Sequence, residues 1–102
     1  MFGHEILIVV SNVVGGNPTY NDGITLALQC SSSGDAPNVL DMTGVNVTQD
    51  FADGLTYGLA TYSKLPQAYQ KASTSVTFRN TVPSAVAMFM AGWRKVYRMY
   101  DQ

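Results

Sequence analysis

Between residues 82 and 100, apolar side chains recur at steps of three and four: Val82, Ala85, Val86, Phe89, Trp93, Val96, Tyr97 and Tyr100. That is the helical period, so these residues mark one apolar stripe on an amphipathic helix, and the stripe must be buried against another layer. Thr81 is placed to cap this helix. Pro83 suits its first turn, where an amide donor would have no partner inside the helix. Arg94, Lys95 and Arg98 come late in the segment, where cations complement the negative end of the helix dipole.

The remaining pattern predicts the strands that this helix would cover. Residues 5–14 hold seven aliphatics, continuous over Ile6, Leu7, Ile8, Val9 and Val10, which predicts a central strand buried on both faces. Gly15, Gly16, Asn17, Pro18, Asn21, Asp22 and Gly23 form a dense group of turn formers and predict a loop. Ile24, Leu26, Leu28 and Cys30 then alternate with polar or small residues, the period of a half-buried strand, and residues 31–37 end it. Between residues 39 and 48 the alternation changes phase at Gly44, which predicts a β-bulge.

From residue 50 to residue 72 the pattern fits helix and strand alike. Phe51, Leu55, Leu59 and Tyr62 share a helix face, whereas Leu55, Tyr57 and Leu59 share a strand face. Gly54 and Gly58 would each cost a helix about 1 kcal/mol relative to Ala. The expectation is therefore a helical turn or two near Phe51, a strand over 55–62, and a short turn after Pro66. Val76 and Phe78 give a last strand. Together these elements predict an α+β fold: one domain over residues 1–102, with a mainly antiparallel sheet of about four to five strands and the C-terminal amphipathic helix packed on one face.

Composition narrows the class of partner. Of the 102 residues, 46% are apolar and 13% charged, against about 25% charged in an average globular chain, so charge-driven disorder is excluded. A net charge of −1 gives no reason for attraction to nucleic acid or to an anionic membrane. Ser, Thr, Asn and Gly supply 32 residues and Lys only three, so the surface is neutral and polar and lacks the lysines that usually keep strand edges apart. The apolar run at residues 6–10 is too short to span a membrane and has no basic flank of the kind a signal peptide carries. A cytoplasmic or virion location is expected, with no secretion through a signal peptide, and the Asn46-Val47-Thr48 sequon then counts as a chance match.

No catalytic, metal or cofactor set emerges. His4 is the single histidine and Cys30 the single cysteine, so neither a His-based triad on a sound scaffold nor a zinc set is available. Cys30 reads as a buried structural thiol. Asp50 and Asp53 could form a carboxylate pair, but helix-start chemistry explains them better: Asp50 as cap, Asp53 as complement to the dipole. Residues 11–16, Ser-Asn-Val-Val-Gly-Gly, follow a strand as a phosphate-binding loop would, yet lack the G-x-G-x-x-G spacing and the G-K-[ST] ending, and a hairpin-type connection is expected there. Trp93, Tyr97 and Tyr100 interleave with Arg94, Lys95 and Arg98, a composition also found in single-strand nucleic-acid binders, though packing of the helix on its own core accounts for it.

The main positive clue is that Met88, Met90 and Met99 lie off the apolar stripe, which makes the last helix apolar over more than one packing face. Flexible methionines on an extra face offer adaptable contact surface. The expected function is a non-enzymatic structural or assembly subunit that self-associates or docks into a larger protein complex, with Met88, Met90, Tyr97, Met99 and Tyr100 at the interface. Composition alone makes a virus or phage particle component the leading specific case. The alternative is a small inhibitory protein that binds a host enzyme or defence complex. A third reading, a nucleotide-binding protein or enzyme, would use the 11–16 loop with Asp50 or Asp53.

Overall fold

The computed structural model describes residues 5–32, 37–62 and 76–100, with residues 99 and 100 described by backbone alone. In chain order the elements are β1 (Ile6–Val9), α1 (Val10–Val14), α2 (Tyr20–Ser31), β2 (Asn38–Asp41), α3 (Gln49–Tyr62), β3 (Val76–Arg79) and α4 (Pro83–Tyr100). The three strands form a sheet in the order β1-β2-β3, and every pairing is parallel. Ile8, Leu40 and Phe78 stand level across it.

This corrects the expected antiparallel sheet of four to five strands. Parallel neighbours need a crossover between them, and here helices supply it: α2 joins β1 to β2, and α3 lies between β2 and β3. Right-handed crossovers between strands in sequential order put their helices on one face. Accordingly Leu26 of α2, Phe51 and Leu55 of α3 and Phe89 of α4 join Ile8 and Leu40 in one buried cluster. Leu26, Leu40, Phe51 and Leu55 are fully buried, each such side chain stabilising the fold by roughly 1.5–3 kcal/mol.

Two segments expected as strands are helices. In α2 the buried residues are Gly23, Leu26, Ala27 and Cys30, at helical steps, while Leu28, which strand alternation would bury, is exposed. A capping box starts this helix: the Thr19 hydroxyl accepts from the Asp22 amide at 3.2 Å and the Asp22 carboxylate accepts from the Thr19 amide at 2.8 Å. The expected loop therefore ends at Thr19. Residues 55–62 likewise belong to α3, which opens under the Thr48 hydroxyl, an acceptor for the Phe51 amide at 3.2 Å.

The glycines that counted against a helix in this segment are what allow α2 and α3 to touch. A β-carbon on Gly54 would run into the Tyr20 carbonyl oxygen, and one on Gly58 would come within 2.6 Å of the Ala27 side chain; Gly23 on the α2 side is as tightly placed, 2.5 Å from the Leu55 nitrogen and the Phe51 carbonyl oxygen. Close approach of two helices compensates the propensity cost that each glycine carries.

Three smaller expectations also change. Among the described strands β1 lies at an edge rather than at the centre, with Ile6 and Leu7 exposed, and the aliphatic run divides between this four-residue strand and the first turn of α1. Gly44 is not a bulge: it holds φ +76° in the turn after β2, where the Val45 amide donates to the Met42 carbonyl at 3.0 Å. Residues 11–16 form no hairpin but α1 and its exit, where Gly15, at φ +78°, donates to the Ser11 carbonyl at 3.0 Å. β3 and α4 fall where the pattern put them. His4, residues 33–36 and the turn after Pro66 lie outside the described residues.

Candidate functional site

α4 follows β3 and packs beside α3, with Phe89 stacked on Phe78 of β3 at 4.3 Å between ring centroids and edge-on to Phe51 at 6.3 Å. Its inward face is set by Ala85, Phe89, Gly92 and Val96. Gly92 lies so close to α3 that a β-carbon there would come within 2.5 Å of the Thr56 hydroxyl oxygen. This phase turns Val82, Val86 and Met90, each four residues from the next, away from the core: they are 60%, 45% and 52% exposed. Val82 and Val86 were expected on the buried stripe. Gly92, pressed against α3, fixes the rotation of α4, and the larger valines follow.

The five expected interface residues divide. Met90 is exposed on the line just described. Met88 is partly buried and packs against the core cluster, and its backbone carbonyl accepts from the Gln49 side chain at 2.8 Å. Tyr97 is half-buried and stacks on Trp93 at 6.0 Å. The side chains of Met99 and Tyr100 lie outside the described residues. The structure thus keeps Met90 on an outer face and adds Val82 and Val86 to it. Trp93 and Tyr97 lie against one another on α4, while Arg94 and Arg98 are exposed beside them.

The expected helix-start roles also change hands. Thr48, not Asp50, caps α3, and Asp50 is exposed in its first turn. Asp53 accepts from Lys95 of α4 at 2.7 Å and from Gln49 at 2.9 Å, so it ties α4 to α3. Thr81 does not cap α4; its hydroxyl donates to the Arg79 carbonyl at 3.5 Å.

A second cluster sits at the carboxyl end of the sheet, where the register sets Val9, Asp41 and Arg79 level. Asp41 Oδ1 accepts from the Thr43 amide at 3.0 Å, from its hydroxyl at 2.7 Å and from Asn80 Nδ2 at 3.0 Å. These donors, the Asn80 amide first, hold the Asp41 carboxyl down at about 2. Asn80 itself has φ +59°, an uncommon conformation for a residue with a side chain. The loop after α1 joins here too, since the Asn46 backbone N–H donates to the Gly16 carbonyl at 2.7 Å. Between the loop after β2 and the first turn of α4 lies a groove of about 220 Å³, with Asn46, Asn80, Thr81 and Ser84 in its lining.

The chain matches no protein-family model, no curated protein and no solved structure. What the two regions can do chemically follows from their residues alone. Among the described residues no group of three or more His, Cys, Asp or Glu side chains could hold a metal ion. Cys30 is buried in the core, where desolvation pushes its thiol up to about 12, so it is neutral and a poor nucleophile at neutral pH. No described helix is long and apolar enough to cross a membrane.

Proposed function

We propose that the protein is a non-enzymatic assembly subunit that associates with further copies of itself through the outer face of α4. The observation that carries this reading is the line Val82–Val86–Met90, two side chains of α4 and the one just before its first turn, spaced four residues apart and left about half in water. Clustered apolar surface of this kind marks contact sites far more than scattered exposed residues do.

Magnitudes indicate what else is needed. Burying the exposed half of these three side chains in one contact gives a gross gain of roughly 2–4 kcal/mol. Association costs about 4–15 kcal/mol in lost freedom and side-chain ordering, so the line does not hold two copies together by itself. The sheet edges supply the rest of the proposed interface. β1 and β3 are the edges among the described strands and run in the same direction, and Ile6 and Leu7 on β1 are exposed. A second copy's β3 beside β1 would extend the sheet in parallel, with its α4 near α2 and the exposed Leu28. Such a head-to-tail contact closes into a ring or propagates as a filament.

A particle component of a virus or phage, or a subunit of a cytoplasmic assembly, is the setting that this composition and surface suit. Molar mass by light scattering over a hundredfold range of concentration tests the reading. Closed oligomers or filaments support it. A strict 11.0 kDa monomer overturns it and favours the inhibitory-protein reading, for which capture of a host enzyme is the next experiment.

A further inference from the structure

We draw no further inference here: the strongest candidate, the groove between the loop after β2 and the first turn of α4, offers only a helix N-terminus and loop side chains, with no second observation among the described residues that points to a ligand.

Discussion

Gly54 of α3 lies against the backbone carbonyl of Tyr20 in α2, with no space between them for a β-carbon. The atom in the way belongs to a helix backbone and cannot swing aside as a side-chain tip could. Two effects of Gly54→Ala therefore compete. Helix propensity favours alanine by about 1 kcal/mol, whereas overpacking of a close contact costs about 1–3 kcal/mol and occasionally more. Steric conflict with backbone should win, and the variant should unfold at a lower urea concentration than the parent. An unchanged or higher midpoint would show that α2 and α3 are not packed through this glycine.

Asp41 makes the fold sensitive to acid in a defined window. Its carboxyl titrates at about 2 in the folded chain against an ordinary 3.8, chiefly because the Asn80 amide, and then Thr43, donate to it. A folded value below the ordinary one means that the stabilisation is complete above about pH 4 and is lost as the pH falls toward 2. Asn80→Gly keeps the positive φ accessible while removing the donor, so the Asp41 carboxyl should move up toward 3.8 in a carboxyl NMR titration. An Asp41 titration that ignores this substitution would refute the contact.

Cys30 should be silent toward thiol reagents in the native protein. With its thiol near 12, almost none is ionised at pH 8, and burial blocks access as well. Labelling by a disulfide reagent at pH 8 should accelerate with added urea in step with unfolding followed by circular dichroism. Stoichiometric labelling within seconds in buffer alone would place Cys30 at a surface.

The Asp53–Lys95 pair joins α3 to α4 at 2.7 Å, yet the Lys95 side chain is 53% exposed. Solvent screening limits such a pair, and Lys95→Ala should cost less than about 1 kcal/mol in urea unfolding. A loss several times larger would mean that the pair, rather than Phe89 and Gly92, holds α4 in place.

The parts of the fold legible in the sequence were those with one unambiguous period. α4 and β3 stood where apolar spacing put them, because neither competes with another pattern. α2 carries a strand-like alternation, Ile24, Leu26, Leu28 and Cys30, whereas half of its helical stripe, Gly23, Leu26, Ala27 and Cys30, is small residues of little hydrophobic weight. The deciding signal was the Thr19–Asp22 capping box, which fixes a helix start wherever the apolar period is undecided. α3 was misread for a different reason: Gly54 and Gly58 were weighed as propensity penalties, when their role is to admit the backbone and side chains of α2. With both crossovers taken for strands, a parallel sheet could not be inferred.

The candidate interface was legible in part. Excess apolar surface on the last helix is visible from composition and spacing, and Met90, which lies off the predicted stripe, is exposed. Its rotation was not visible, because Ala85 and Gly92, the residues pressed inward, carry little hydrophobic weight in the sequence. Val82 and Val86 therefore looked like core and turned out to share an outer line with Met90.

The proposed assembly is tested most directly by the molar mass of the parent chain and of the double variant Val86→Asp/Met90→Asp, measured side by side by light scattering across a hundredfold range of concentration. Circular dichroism on the same samples verifies that both are folded. The parent should exceed 11.0 kDa by a factor that grows with concentration or settles at a fixed multiple, and the folded double variant should remain at 11.0 kDa. A parent that stays monomeric throughout, or a folded double variant that assembles as the parent does, would contradict association through α4.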